Sequence, residues 1–315
     1  MSRGNIVRRM GNISITDPIG LAIERVRVLL FRPFDLGKWF TIGFCAWLAG
    51  LGERRFGGNF NGSSNSSSQP GDFHQQFEHA RGFVIQNLYW ILPLTIFVVA
   101  VCLALGVLFL WLNSRGKFMF LYCVALNRAE VREPWNRFSD AANSLFWFRL
   151  VLSLIGMAIT LPLLLLAGIA AFSMFIHSSW NPAGILAIIA IVMGMMVIGI
   201  FFALVRKLTM EFVVPIMFLR GSRSLDAWRE FLQLLRPNAG QFVLYILFQI
   251  VIALATGAIV VAVVLVTCCL AGCVMMIPYI GTVLLLPVLV FKRAYSLYYF
   301  AQYGPGCNVF PPATP

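Results

Sequence analysis

The densest group of side chains that could bind a metal ion or undergo redox chemistry lies in the C-terminal third of the chain. Cys268, Cys269 and Cys273 are followed by Met275 and Met276. Soft thiolate and thioether groups can bind Cu(I), and two thiols can form a disulfide on an oxidising face. The spacing is not C-x-x-C, no histidine is nearby, and both residue types are ordinary apolar fillers. We favour the apolar role, with metal binding and a disulfide left open.

Histidines and catalytic motifs give no further site. His74, His79 and His177 have no partner at metal-ligand spacing. The sequence has no P-loop, nucleophile elbow, paired catalytic carboxylates, H-E-x-x-H motif or dinucleotide fingerprint. We therefore expect a protein that is not an enzyme, with no catalytic, cofactor-binding or metal-binding residue and no cofactor.

Ionisable residues near the end of one apolar segment form the remaining candidate. Lys207 and Glu211 are four residues apart and can pair on one helix face. Arg149 can meet Glu211 or Asp140 from a neighbouring helix. We interpret this group as a structural ion pair near the membrane surface, and a substrate or gating site is the alternative.

The elements that must position these residues are membrane helices. Of the 315 residues, 60% are hydrophobic and 11% are charged, whereas soluble domains have about 45–50% and about 25%. This composition excludes a soluble globular protein, because so few charged residues cannot cover so much apolar surface.

Six segments are apolar enough to cross a bilayer, for which a helix needs roughly 20 residues. They are 37–52, 88–112, 146–174, 183–205, 241–267 and 274–291. The first is the weakest, because Glu53, Arg54 and Arg55 follow it directly. The sequence therefore predicts an all-α membrane protein with six transmembrane helices.

The segments that precede the first, third and fifth of these helices share a pattern. It reads Ala22-Ile23-Glu24-Arg25-Val26, Pro134-Trp135-Asn136-Arg137-Phe138 and Ala227-Trp228-Arg229-Glu230-Phe231. The helical spacing predicts amphipathic cytoplasmic helices. Their expected apolar faces are Ile19, Ile23, Val26 and Leu30; Trp135, Phe138, Ala142 and Leu145; and Leu225, Trp228, Leu232 and Leu235. The pattern predicts three helical-hairpin repeats, about 16–130, 131–223 and 224–303, each preceded by such a helix.

The exits of the second, fourth and sixth helices also resemble one another. Each has two basic residues close together and then a second apolar run: Arg115 and Lys117 before Phe118–Leu126, Arg206 and Lys207 before Phe212–Leu219, and Lys292 and Arg293 before Tyr295–Phe300. We expect the apolar runs to pack between elements of neighbouring repeats. The basic pairs are interpreted as anchors at the membrane surface, with a polar site in the inner leaflet as the alternative.

Small residues spaced four apart on the apolar segments are typical of close helix contacts. They are Ala100 and Ala104, Gly199 and Ala203, Ala253 and Gly257, and Ala258 and Ala262.

The basic residues are distributed asymmetrically. Seven Lys and Arg lie before or at the start of the first apolar segment, six lie between the second segment and the start of the third, six between the fourth and the fifth, and two after the sixth, so 21 of the 24 lie on one face. That face carries the whole net charge of +12. The positive-inside rule therefore predicts cytoplasmic N- and C-termini. The nearest partners of these charges are anionic lipid headgroups, and we expect no nucleic acid.

The chain divides into a flexible cytoplasmic N-terminus over 1–15, a single six-helix transmembrane domain over 16–303 and a tail over 304–315. Residues 53–82 form the one sizeable outer loop between helices. Its Gly, Asn and Ser-rich centre, about 55–71, is expected to be disordered. No cleaved secretory leader is expected.

One stretch resembles an uncharacterised family of bacterial six-span membrane proteins. It comprises Ser114-Arg115-Gly116-Lys117-Phe118-Met119-Phe120-Leu121, Arg128-Ala129-Glu130-Val131, Pro134-Trp135 and Asn143-Ser144-Leu145-Phe146. The hairpin layout is also distantly similar to the membrane domain of some glycerophosphodiester phosphodiesterases, but this chain has no such catalytic domain. The resemblance implies a bacterial inner-membrane protein of unknown function.

Two functional hypotheses follow from the sequence. The first is a non-catalytic scaffold or accessory protein that acts through its charged inner face, with a protein partner or as a homo-oligomer. The alternative is a transporter or lipid-handling protein with a path between the hairpins.

Overall fold

The computed structural model describes residues 13–51, 88–176, 182–267, 272 and 277–311, and every regular element in these ranges is helical. The helices are α1 Asp17–Val26, α2 Leu36–Gly50, α3 Leu88–Leu126, α4 Arg132–Arg137, α5 Ser139–Ile176, α6 Pro182–Leu208, α7 Val214–Arg220, α8 Ser224–Leu235, α9 Ala239–Val266, α10 Pro278–Leu284 and α11 Leu286–Ala301. Short π-helical turns follow α1, at Arg27–Phe31, and α6, at Thr209–Val213. The expected all-α class is confirmed for this part of the chain.

In the part of the chain that the structure describes, four helical stretches are long and apolar enough to cross a membrane. They are Tyr89–Leu126, Ser139–Met174, Pro182–Arg220 and Ser224–Val266, and their most apolar windows have mean hydropathies of 2.5 to 3.0. Almost none of these windows is buried inside the protein. Because such apolar surface is stable only in hydrocarbon, the protein is membrane-embedded.

The first and sixth predicted transmembrane segments correspond to shorter helices. Helix α2 has 15 residues, and the last segment is divided between α10 with seven residues and α11 with 16. Leu285 interrupts the helix between α10 and α11. Helix α10 packs directly on α2, where a Cβ on Gly43 would lie 2.6 Å from a Val283 methyl carbon.

The packed core lies at the basic end of the helices. Three apolar runs supply much of it: Phe118–Ala125 at the end of α3, Phe212–Met217 across the π turn and α7, and Ala294–Leu297 with Tyr299 and Phe300 in α11. Helix α3 continues without interruption from its apolar half into this core. The apolar runs that follow the basic exits are thus buried in the core.

A polar network joins the end of α2 to α3 and α5. The Asn113 amide donates to the Ala49 carbonyl at 2.7 Å and to the Leu51 carbonyl at 2.6 Å, and it accepts from Arg149 Nη1. One turn along, a Cβ on Gly116 would lie 2.5 Å from the backbone of Leu48 and Ala49. Glycine at 116 therefore permits the close approach of α2 and α3.

The expected apolar faces of α1 and α8 are correct in part. Leu30 is buried, and Ile19, Val26, Trp228 and Leu235 pack against the core. Ala22 and Ala227 are buried, whereas Ile23 is 56% exposed and Leu225 is 63% exposed. Leu232 is also exposed. Small alanines let each helix lie close to the core, and the larger aliphatic residues are left outward. The expected face of α4 and α5 is confirmed for Phe138, Ala142 and Leu145, which are buried, while Trp135 is partly buried.

Residues from both predicted ends contact the helical domain. Ser14, placed in the flexible N-terminus by the sequence, exchanges two hydrogen bonds with Gln302, at 2.8 and 2.9 Å. In the predicted tail, Cys307 and Val309 are buried, and Phe310 stacks on Tyr298 with ring centroids 4.1 Å apart. Reciprocal hydrogen bonds and aromatic packing thus join residues from both ends to the domain. The predicted disordered loop 55–71 and residues 1–12 lie outside the described residues.

Candidate functional site

A cavity of about 340 Å³ lies where α2, α3, α9, α11 and the π turn meet. Small and apolar residues form one part of its wall, and polar residues form the other. The apolar part comprises Ala46, Ala49, Gly50, Phe120, Met210 and Leu289; the polar part comprises Lys117, Glu211, Gln249, Lys292, Arg293 and Ser296. The cavity thus has three basic side chains and one carboxylate.

The π turn after α6 places its backbone toward α11. A π turn disturbs the regular α-helical hydrogen-bond ladder and recurs at functional sites. Here the Arg293 Nη1 donates to the Met210 carbonyl at 2.7 Å. Ser296, one turn below, donates to the Arg293 carbonyl at 2.9 Å. The guanidinium of Arg293 is therefore held against the turn that carries Glu211.

Among the described residues, Glu211 is the one acidic residue of the cavity wall. Its Oε2 is buried and has no hydrogen-bond partner among the described residues. Lys207, Arg293 and Lys117 lie close enough to interact with the carboxylate electrostatically. These cations balance its charge without satisfying Oε2 as an acceptor.

Two polar residues of α9 support the carboxylate. Gln249 Nε2 donates to the Tyr245 hydroxyl at 2.7 Å, and this hydroxyl faces Glu211. The Tyr245 ring is fully buried and stacks on Tyr299 with centroids 4.3 Å apart. Tight aromatic packing fixes the hydroxyl, so the polar end of the cavity is preorganised.

The cavity brings together residues that the sequence places in separate exits. Lys117 follows the second apolar segment, and Lys292 and Arg293 follow the sixth. Lys207, from the fourth exit, lies within electrostatic reach of Glu211 and Lys292. This arrangement favours the alternative interpretation of the basic pairs, a polar site, for these four residues.

Arg115, the other basic residue of the second exit, lies elsewhere. Its guanidinium is 4.6 Å from the ring centroid of Trp111 and 4.7 Å from that of Trp135. It thus lies against both indoles, whose rings meet edge to face with centroids 5.9 Å apart, in an arrangement that favours cation–π attraction. Arg149 is likewise away from the cavity wall, at Asn113 and Ser114.

Other candidates from the sequence give no site in the described ranges. Thr160 and Thr256 donate to carbonyls of their own helices, as expected for polar residues in membrane helices. No group of three His, Cys, Asp or Glu that could hold a metal is found in the part of the chain that the structure describes. The cysteines at 268, 269 and 273 and the three histidines lie outside it.

Sequence reasoning missed the bond from Arg293 to the Met210 carbonyl and the support that Tyr245 gives to Glu211. The π turn carries no sequence pattern that would have predicted either. A signal was present for the cavity as a whole, because the exits carry basic residues at similar positions. Their meeting point depends on how the helices cross.

Chemically, the cavity is suited to binding. Its cations can hold an anion such as a phosphate, and its apolar wall can contact a hydrocarbon portion.

The fold and the cavity define an all-helical membrane protein with a cationic site at its basic end. The model of the family of unknown function DUF7544 matches residues 13–301, and the chain belongs to this family. No curated protein and no solved structure matches the chain.

Proposed function

We propose that the protein is a non-catalytic lipid-handling membrane protein that binds the phosphate of a lipid headgroup in the cavity. The observation that carries this proposal is the convergence of Lys117, Lys292 and Arg293 on one wall. Three cations with one carboxylate give the site a net positive charge. Phosphate is the abundant anion at the surface of a membrane, and basic pockets between membrane helices bind phosphate headgroups.

The size and the apolar wall of the cavity support a headgroup as the occupant. A volume of about 340 Å³ is at the lower end of the ~300–1,000 Å³ of small-molecule sites. A headgroup and glycerol can enter such a space, and acyl chains remain outside it. Exposed apolar side chains on α3, α5, α6 and α9 offer the chains a surface.

The proposal includes a topology with six membrane crossings in three helical-hairpin repeats. The crossings are α2, α3, α5, α6, α9 and the α10–α11 segment, with both termini in the cytoplasm of a bacterial cell. At 1.5 Å per residue α2 is about 22 Å long, so its crossing requires a locally thin hydrocarbon layer. The concentration of basic residues at one end supports this orientation.

Equivalent positions of the repeated pattern have similar surroundings, which supports the repeats. The first residue of each pattern, Ala22, Pro134 or Ala227, is buried. The second residue is exposed or partly buried in each case. We also propose that the hairpin layout is distantly similar to the membrane domains of glycerophosphodiester phosphodiesterases. We infer no catalytic activity from this similarity.

Lipid binding to the purified protein tests the function. Native mass spectrometry in a mild detergent, with added phosphatidylglycerol, measures the bound fraction for the wild type and for the double variant Lys117→Gln, Lys292→Gln. Each basic group near a membrane surface contributes about 1 kcal/mol, so we expect affinity to fall at least about tenfold.

The matched control is Arg229→Gln, because Arg229 is on α8 and its side chain is 80% exposed. The control should bind lipid as the wild type does. Equal lipid binding by the wild type, the double variant and the control would contradict the proposal.

Cysteine labelling tests the topology. We expect a membrane-impermeant maleimide added outside the cell to label position 66 of a Ser66→Cys variant. Peptide mass spectrometry must locate the label, because Cys268, Cys269 and Cys273 are on the same outer face in this topology. Labelling of Ser66→Cys from the cytoplasmic side alone would overturn the orientation.

A scaffold or accessory function is the second candidate, favoured by the exposed basic surface of the amphipathic helices. The side chains of Arg27, Arg137 and Arg229 are 61%, 62% and 80% exposed. Their neighbouring carboxylates are 3.7 to 4.0 Å away on the same helix, and such surface ion pairs are weak. A stoichiometric protein partner or a homo-oligomer in gentle detergent would support this function, and repeated recovery of the monomer alone would count against it.

A further inference from the structure

Glu211 is difficult to explain if the cavity binds only an anion. A carboxylate on the wall repels a phosphate, and the desolvated Oε2 lacks a hydrogen-bond partner among the described residues. A buried acceptor without a partner is destabilising. The occupant that satisfies both ends of the cavity carries a phosphate and also a hydrogen-bond donor, and a positively charged donor makes the stronger bond to a carboxylate.

The described protein groups around Glu211 leave its Oε2 without a donor. Arg293 is engaged with the Met210 carbonyl at 2.7 Å. Tyr245 is held by Gln249 and faces the same carboxylate. Lys117 and Lys207 contribute positive charge around Glu211, and Oε2 still receives no hydrogen bond.

The lining of the cavity distinguishes a primary ammonium from a quaternary one. Quaternary ammonium groups are bound by cages of several aromatic rings. Phe120 is the one aromatic residue among the lining residues in the described chain. A primary ammonium instead donates N–H groups directly to a carboxylate oxygen, which is what Oε2 lacks.

We propose that the cavity recognises a zwitterionic headgroup of the phosphoethanolamine type, a phosphodiester whose alcohol bears a primary ammonium. Lys117, Lys292 and Arg293 hold the phosphate, and Glu211 Oε2 accepts from the ammonium. This inference rests on the proposed lipid-handling function and assigns its selectivity. The carboxylate then favours phosphatidylethanolamine over phosphatidylglycerol, which has no ammonium, and over phosphatidylcholine, whose ammonium has no N–H.

The experiment is a competition between three lipids with identical acyl chains. Phosphatidylethanolamine, phosphatidylglycerol and phosphatidylcholine are titrated in detergent against the wild type, Glu211→Gln and the control Glu24→Gln, and bound lipid is counted by native mass spectrometry. Glu24 is on the exposed face of α1, with 56% of its side chain accessible.

We expect the wild type and Glu24→Gln to bind phosphatidylethanolamine at least tenfold more tightly than the other two lipids. Glu211→Gln should lose this preference and retain phosphatidylglycerol binding, because the cations remain. The wild type can also be titrated with mono- and dimethylated phosphatidylethanolamine, which need no variant. Affinity should fall most at the third methyl group, which removes the last N–H.

Two results would overturn the inference, and only one of them would also overturn the proposed function. Equal wild-type affinity for phosphatidylethanolamine and phosphatidylglycerol, with both dependent on Lys117 and Lys292, would remove the ammonium site and keep the proposed function. Lipid binding that is independent of Lys117 and Lys292 would remove both.

Discussion

The Arg25 side chain of α1 caps the end of α3, where its Nε donates to the Val124 carbonyl at 2.9 Å. Its Nη2 donates to the next carbonyl, Ala125, at 2.6 Å. Carbonyls in the last turn of a helix have no partner within the helix, and the helix dipole favours a cation there. Burial lowers the pKa of the Arg25 guanidinium, and the nearby Tyr298 opposes this shift. The cap thus joins the surface helix to the core.

Replacing Arg25 by methionine tests the energetic value of this cap. Arg25→Met keeps most of the apolar stem and removes both donors, so we expect it to destabilise the protein by about 1.5–3 kcal/mol. The measurement is the thermal unfolding midpoint in a mild detergent. Arg27→Met is the control, because Arg27 makes only an exposed pair with Glu24 at 4.0 Å and should change stability by at most about 0.5 kcal/mol. Equal midpoints for the two variants would contradict the prediction.

Gly116 is the second position whose substitution has a definite expected effect. In Gly116→Ala the new Cβ would lie 2.5 Å from backbone atoms of Leu48 and Ala49. Because backbone cannot rotate away as a side chain can, α2 and α3 must separate, and overpacking of this kind costs about 1–3 kcal/mol or more.

Gly106→Ala, on the same helix, is the matched control for Gly116→Ala. Nothing lies within 4 Å of its Cβ position, so alanine should be neutral or stabilise α3 by up to about 1 kcal/mol. The measurement is the thermal unfolding midpoint of both variants in the same detergent. A Gly116→Ala protein as stable as Gly106→Ala would show that α2 and α3 are loosely packed.

The contrast between glycines also shows where sequence reasoning succeeds and fails. The composition was sufficient to predict a membrane protein, and the sequence was sufficient to locate the apolar runs that follow the basic exits. Small-residue spacing predicted close contacts at Gly199 and Gly257, and each is open to a distance of 4 Å in the described structure. Contacts depend on which helices approach one another, and small residues are frequent in every apolar helix of this chain.

The candidate site could likewise be predicted only in part from the sequence. Basic residues at the helix exits were visible in the sequence, and a polar site was among the interpretations. The convergence of Lys117 and Arg293 depends on how α3 crosses α11, which periodicity does not encode. The bond to the Met210 carbonyl further requires a π turn, since a regular α-helix would use that carbonyl within its own ladder.

Asn113 is predicted to be essential for joining α2, α3 and α5. Asn113→Leu is similar in volume but removes the two donors to the last turn of α2 and the acceptor of Arg149. We expect a loss of about 3 kcal/mol or more, because buried polar groups lose their partners. Asn136→Leu, at an exposed position on α4, should remain near the wild type. Comparable unfolding midpoints for the two would contradict the assigned network.

The Cys307 thiol gives a prediction for pH dependence. Burial, reinforced by the nearby Glu230 carboxylate and opposed by Arg220, raises the pKa of Cys307 from 9.0 to about 11. The thiolate is the reactive form. At pH 8 an ordinary thiol with a pKa of 9 is roughly one-tenth ionised, and one with a pKa of 11 is roughly a hundredfold less so.

Alkylation of Cys307 by iodoacetamide, followed by peptide mass spectrometry, should therefore become about tenfold faster for each pH unit between 8 and 10. The alkylation rate of the same cysteine in protein unfolded by detergent should approach a plateau above about pH 9. This comparison separates ionisation of the thiol from its accessibility, because limited access lowers the rate equally at every pH. Glu230→Gln should shift the folded-state profile to lower pH, since it removes a negative charge that disfavours the thiolate. A folded-state plateau near pH 9 would show that the packed end of the chain leaves this thiol in an ordinary aqueous environment.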